Sequence, residues 1–506
     1  MGEDYGVAWA WAYLAVSVVG AALVVNAYWP WRRGPASIFS FFSGWLTGEL
    51  PIHNIVWQAA ATAVFAVLGA FDGWPGWLGL GIALISWVGL IGLYRDGRRS
   101  HTVFERALDD IYGTPVVAGG ADFVQPEVEL SDPASDLSQS QVTVDDPDSS
   151  NDADSSNDAP SWTDSLPWSD SMWRGRRLVN PVARGTRTFD FVKNVDYWGD
   201  GLAAHRLDII KRKTQKVANP APDIARSGLA PVFVYVHGGA WIIGDKREQG
   251  FPMMLELARR GWVCVTINYR LSPVGLGYKR NPKATWPDHI VDCKRAVAWV
   301  KENIAQYGGD PRFVAISGGS AGGHLSALVA LTPGDPDFQP GFEAKDTSVD
   351  ACVPVYGVYD MTCRSKPGDP SYLASYNKGL LKMLEQRVFK TTLKENPAIF
   401  ENASPLYRVN AQAPPFFVIH GMNDTLVPVS EARHFVEALR HVSKATVAYA
   451  ELPRTQHAFD VLASVRPAYA ISGVVRFLEG VRGATGPVRG QDRLESATGP
   501  GHGGAT

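Results

Sequence analysis

Phe313-Val-Ala-Ile-Ser-Gly-Gly-Ser320-Ala-Gly-Gly-His324, running into an apolar stretch that ends at Leu331, decides the fold of this chain. The four apolar residues read as a buried strand, and the stretch after the glycines reads as a helix. Between them, Gly318-x-Ser320-x-Gly322 is the pattern of a sharp strand-to-helix turn that lifts a serine hydroxyl clear of a sheet. Glycine is needed two residues before and two after, because a side chain there would collide with the neighbouring strand and helix. Five further short runs have the same character: Val232–Val236, Val263–Ile267, Cys352–Val355, Phe416–Ile419 and Thr446–Tyr449. Near-continuous apolar strands separated by helical patterns imply a mostly parallel sheet with helices on both faces. In such sheets the chemistry gathers at the carboxyl ends of the strands.

The residues at those ends are of one kind. His237-Gly238-Gly239-Ala240-Trp241 follows the first run and is a loop whose backbone N–H groups suit a developing oxyanion. Gly238 and Gly239, with Ala321 after the serine, are the expected donors. A phosphate loop is excluded there, since Asp245 stands where lysine would be required. A serine hydroxyl needs a base, and the base needs an acid to orient it. Asp424 follows the run ending at Ile419, and His457 follows the run ending at Tyr449. The order Ser320, Asp424, His457 is that of hydrolases built on parallel sheets, not that of the chymotrypsin or subtilisin arrangements. Asp360 is a rival acid, but it precedes an insertion at 361–405 that reads as a lid. Tyr269 and Arg270 are expected to brace the loop after the second run. Cys264, Cys293, Cys352 and Cys363 form no close pair and read as buried thiols. No histidine and carboxylate cluster has metal-ligand spacing, so neither metal nor cofactor is expected.

Together His237-Gly-Gly-Ala-Trp241, Asn268-Tyr-Arg-Leu-Ser-Pro273, Gly319-Ser-Ala-Gly-Gly323 and Asp424-Thr-Leu-Val-Pro428 resemble the hormone-sensitive-lipase-like branch of the α/β-hydrolases, which contains bacterial esterases and lipases. The resemblance implies an α/β-hydrolase fold, a triad of Ser320, Asp424 and His457, and cleavage of carboxylic esters through an acyl-serine intermediate. One departure is Gly319, where the branch often has an acidic residue. Gly-Gly-Ser-Ala-Gly-Gly-His is also similar to feruloyl-esterase and kynurenine-formamidase relatives, so amide or formamide cleavage is the alternative. A non-catalytic receptor on the same fold is a third reading, which an intact triad argues against.

Outside this unit the chain changes character. Val7–Trp31, Ile55–Phe71 and Trp77–Tyr94 hold no charged residue over 25, 17 and 18 residues, against the ~17–25 that cross a hydrocarbon core as a helix. Tryptophans and tyrosines flank them, as rings do at headgroup level. The stretch from Ser37 to Leu50 carries Glu49 and reads as interfacial or re-entrant. Arg32 and Arg33, then Arg95, Arg98 and Arg99, follow the first and third runs. With three crossings both clusters share one side, expected to be cytoplasmic, together with everything after them.

From 107 to 173 there is no lysine or arginine but 15 aspartates and glutamates, within an overall net charge of −3. That stretch reads as a self-repelling acidic spacer holding the next domain off the bilayer. The expected organisation is therefore an α-helical transmembrane region at 1–113, a linker at 114–174, the α/β domain at 175–481 and a tail at 482–506. Expected partners are a small-molecule or lipid ester and the lipid bilayer. The near-neutral balance argues against nucleic acid, and four cysteines exclude a disulfide-stapled scaffold.

Overall fold

The computed structural model describes residues 2–32, 36–112, 187–213, 228–273, 284–363 and 374–484. The linker expected at 114–174, part of the lid and most of the tail lie outside the described residues.

One eight-stranded sheet runs in the order β1-β2-β4-β3-β5-β6-β7-β8. Its strands are β1 (Phe189–Asp196), β2 (Arg206–Arg212), β3 (Ala230–Val236), β4 (Val263–Ile267), β5 (Gly309–Gly319), β6 (Ala351–Val355), β7 (Phe416–Gly421) and β8 (Val447–Leu452). The six runs read from the sequence are β3 to β8, and all their pairings are parallel. The antiparallel pair β1 and β2 extends one edge and was not foreseen. Phe189-Asp-Phe-Val-Lys-Asn-Val-Asp196 covers one face only, so it lacks the continuous apolar signature of a strand buried on both sides.

Side chains alternate across the sheet, and each face carries its own core. Val232, Val234 and Val236 of β3 face α6 (Asp288–Asn303) and α7 (Ala321–Leu331), while Phe233 and Tyr235 face α5 (Phe251–Arg259) and α11 (Val465–Ala484). Between them in sequence come α8 (Ala374–Met383), α9 (Pro397–Asn402) and α10 (Val429–Val442). β5 lies between β3 and β6, with Gly318 opposite Val236 on one side and Pro354 on the other. The serine turn therefore leaves from mid-sheet, beside the end of β3.

Among the described residues four helices precede the sheet: α1 (Gly2–Tyr28), α2 (Ala36–Glu49), α3 (Pro51–Val67) and α4 (Trp74–Tyr112). Gly6–Tyr28 and Trp74–Asp109 are long and apolar enough to cross a membrane, and α2 and α3 form a pair bent by 92° at Leu50. α1 and α4 run parallel, since Trp11 meets Trp74 and the Tyr28 hydroxyl donates to Gly89 O at 2.8 Å. α3 runs the other way: the Tyr13 and Thr62 hydroxyls hydrogen-bond at 2.8 Å, and Gly20 faces Gln58. The second half of α4 leaves this bundle and enters the α/β core, where Phe104 and Leu108 are buried among residues of β7 and α11.

Candidate active site

Ser320 sits between β5 and α7 with φ 57° and ψ −120°, a conformation that costs about 1–3 kcal/mol for a residue with a side chain. Tight packing holds it there. A Cβ on Gly318 would lie 2.5 Å from the carbonyl oxygens of Val236 and Gly322, and one on Gly322 would lie 2.0 Å from Val236 O. The Ser320 N–H donates to Val355 O at 3.0 Å, and its carbonyl accepts from His324 N at 2.9 Å. Gly319 has a local reason as well. A Cβ there would meet the Tyr356 ring at 2.6–2.9 Å, so that tyrosine occupies the space an acidic residue would use.

Asp424 and His457 come from loops after β7 and β8, and the structure brings them together. His457 Nδ1 and Asp424 Oδ2 are 2.6 Å apart, and the other carboxylate oxygen accepts the N–H groups of Leu426 and Val427 at 2.8 Å each. His420 Nε2 lies 3.3 Å from Asp424 Oδ2. Burial alone would raise the Asp424 carboxyl, but the His457 charge and hydrogen bonds from His420 and His457 outweigh it and hold the group well below the usual carboxylate range. With Nδ1 committed, the free edge of the His457 ring is Nε2. That ring lies 4.5 Å from the Tyr356 ring, the same ring that abuts Gly319. Among the described hydrogen bonds none joins Ser320 to His457, and in unliganded sites this bond is commonly long.

The loop after β3 presses against the serine: a Cβ on Gly238 would stand 3.3 Å from Ser320 Cβ. The expectation for Gly238 needs correction, because its N–H already donates to Gln249 Oε1 at 2.8 Å. Gly239, Ala240 and Trp241 follow with φ 124°, 52° and 61°. Among the described hydrogen bonds, the N–H groups of Gly239 and Ala240 have no intramolecular acceptor. Consecutive residues of this kind form a concave set of donors that suits an anion. Ala321 opens α7, where leading N–H groups lack intrahelical partners. Gly239, Ala240 and Ala321 are thus the candidate donors, since Gln249 engages the Gly238 N–H. Nothing in the sequence pattern links Gln249 to this loop.

The neighbouring polar residues brace the site. The Tyr269 hydroxyl donates to His237 O at 3.0 Å, and Arg270 pairs with Asp288 and Asp292. His324 is fully buried, accepting from Trp241 Nε1 at 3.1 Å and reaching Ala403 O at 2.7 Å through Nε2. It ties the serine turn, the donor loop and the segment after α9 into one block. Asp360 turns to its own loop, accepting from Thr362 N and Oγ1. Of the cysteines, Cys363 is only partly buried and the other three are buried.

Sequence reasoning missed the contribution of the N-terminal helices. Asn423 Nδ2 donates to Ala27 O and Tyr28 O at 3.0 and 3.2 Å, and Arg32 Nη2 donates to Met422 O at 3.0 Å. From α2, Trp45 Nε1 donates to Ala458 O at 2.9 Å, and the Phe41 ring meets His457 edge-on at 6.3 Å. Partners some 400 residues apart leave no local signal.

The sheet order, the strained serine turn and the motifs at the strand ends define an α/β-hydrolase. A family model described as BD-FAE matches residues 221–439. The probable carboxylic ester hydrolase LipM of Mycobacterium tuberculosis is 41% identical over 480 residues, covering 92% of each chain. Esterase LipQ of the same organism is 46% identical over 281 residues, 56% of this chain and 60% of that one. A solved structure, a truncated form of a carbohydrate esterase from gut microbiota, aligns with a TM-score of 0.46 at 24% identity over 58% of this chain and 97% of that chain. The chain belongs to the hormone-sensitive-lipase-like carboxylic ester hydrolases.

Proposed function

We propose that this enzyme is a membrane-anchored serine esterase that works through an acyl-serine intermediate. Ser320 Oγ attacks the ester carbonyl while His457 Nε2 takes its proton. Asp424 holds His457 in the tautomer that leaves Nε2 free. Charge on the tetrahedral oxygen is met by the N–H groups of Gly239, Ala240 and Ala321, each worth ~10²–10³ in turnover by comparison with other oxyanion sites. The alcohol departs with the proton from His457, and water then releases the acid by the same route. The observation that carries this reading is the buried 2.6 Å pair of His457 and Asp424 beside a serine held at φ 57°. Labelling of membranes with a fluorophosphonate probe tests it: the band is expected to vanish in Ser320→Ala, and a band of undiminished intensity overturns the assignment.

The anchoring belongs to the same proposal. α1, α3 and α4 are read as three crossings, because α1 and α4 run parallel with α3 returning between them. Both arginine clusters then lie on the side of the hydrolase domain, the cytoplasmic side. Substrates are carboxylic esters, with acyl chain length to be read from a graded ester and anilide panel.

A further inference from the structure

We propose that α2 is the entry by which a bilayer-resident ester reaches Ser320, so that the substrate class is an ester carrying a long acyl or alkyl chain lodged in the leaflet. This deepens the esterase reading and rests on it.

The argument starts from the two faces of α2. One face follows the hydrolase domain from Phe41 to Glu49. Phe41 meets His457, Gly44 faces Gln456, Trp45 binds Ala458 O, and Glu49 pairs with Arg466 and Ser464. The opposite face carries Ile38, Phe39, Phe42 and Leu46, exposed by 57, 73, 52 and 44%. No ionisable residue interrupts that exposed face. A helix of 14 residues spans about 21 Å, short of the ~30 Å of a hydrocarbon core. It lies at 92° to α3. With α1, α3 and α4 upright, α2 lies in the membrane plane at the level of the hydrolase domain. A helix with one bare aromatic and aliphatic face in that position sinks the face ~5–10 Å into the headgroup and acyl boundary.

The base of the site sits on the other side of this single helix. Phe41 lies between the lipid-facing residues Phe39 and Phe42 in sequence, yet turns inward to the imidazole. An ester lifted from the leaflet along α2 therefore arrives at His457 with its chain still in apolar surroundings. A water-soluble ester gains nothing from that path. Continuity of the exposed face with the spanning helices points to the leaflet itself as its occupant, with no separate partner protein required.

The test compares two substrates on full-length enzyme in phosphatidylcholine vesicles. One is a diacylglycerol with long chains mixed into the vesicle; the other is soluble p-nitrophenyl butyrate. For Phe39→Ser/Phe42→Ser/Leu46→Ser the ratio of vesicle activity to soluble activity is expected to fall about tenfold or more, since binding to the interface scales with buried apolar area. Phe39→Leu/Phe42→Leu is expected to restore it. Fluorophosphonate labelling of Ser320, normalised to protein, reports that the variant site is folded. An unchanged ratio in a labelled variant, or a wild-type enzyme that cleaves the soluble ester but not the lipid ester, overturns the entry and leaves the esterase standing. Absence of both activities and of labelling in the wild type overturns the esterase reading itself.

Discussion

The serine turn shows how far single residues were legible. Gly318-x-Ser320-x-Gly322 announces a turn, and the distances show that any larger residue at either glycine would strike the backbone of β3 or α7. What the sequence hid is which side chains fill the remaining space, such as Tyr356 behind Gly319 and Gln249 on the Gly238 N–H. Tyr356 follows the neighbouring strand β6, whose Val355 pairs with Gly319, and Gln249 stands 11 residues beyond Gly238 in the loop before α5. The buried histidines give a prediction at this scale. Burial lowers His237 and His324 to about 4 and His289 to about 3, against ~6.5 when unfolded. Between those values the unfolded chain binds protons that the folded one does not, so stability falls as pH drops below about 6.5. At pH 5 each histidine withdraws about 2 kcal/mol. His205 acts in the opposite sense. Burial pulls it down, but hydrogen bonds and charge from Asp292 and Asp200 outweigh that and raise it. Its contribution is complete below the unfolded value and is lost only as pH rises through its folded value. Asp424 stays ionised throughout this window, since its stabilisation is lost only under far more acidic conditions. Burial raises the Asp350 and Asp460 carboxyls, which also act in that opposite sense, but the three lowered histidines together set the sign: the thermal inactivation midpoint is expected to drop from pH 7 to pH 5, and a flat profile refutes the account.

At the scale of elements, strands buried on both faces were plain and the edge pair was not. β2 interrupts its apolar residues with Asp208, which accepts from Arg247 and pairs with Lys246, so its strand character depends on partners elsewhere. The segment Ser37–Leu50 reads as interfacial or re-entrant from its length and from Glu49. The structure gives Glu49 its role: it is buried and paired at 2.6 Å with Arg466, itself only 1% exposed. Arg466 Nη1 also donates to Gly48 O at 3.0 Å. This is the joint between α2 and α11. Removing one member of a buried pair strands the other charge and costs ~3–5 kcal/mol, whereas replacing both with apolar residues of similar size is often close to neutral. Glu49→Ala is therefore expected to lower the inactivation midpoint in detergent clearly, and Glu49→Leu/Arg466→Met to recover most of the loss. Equal destabilisation by the single and double variants would show that the joint rests on packing instead.

At the scale of the whole molecule, the sequence reading places the hydrolase domain on an acidic tether held off the bilayer. In the structure the domain is docked on the helical bundle. Phe104 packs edge-on against Phe417 at 6.1 Å and Tyr112 donates to Phe477 O at 3.1 Å. Arg476 binds Asp109 at 2.7 Å, and Arg454 pairs with Asp96 while lying over the Tyr28 ring. The continuation of α4 past Tyr94 falls within the transmembrane region expected at 1–113, and its partners on β7 and α11 come some 300 residues later. Burying Phe104 and Leu108 contributes about 1.5–3 kcal/mol each, and the Glu49 joint and the contacts of Asn423 and Trp45 add to them. These contacts are expected to hold the domain on the helical bundle even when the link through 114–174 is cut. An engineered protease site placed between residues 125 and 172 separates the two readings. After cleavage in inverted vesicles, the fragment labelled at Ser320 is expected to sediment with the membrane and keep its esterase activity. Phe104→Asp combined with the cut is expected to release it. Release by the cut alone restores the tether picture, and cleavage from the outer face of intact cells overturns the cytoplasmic placement.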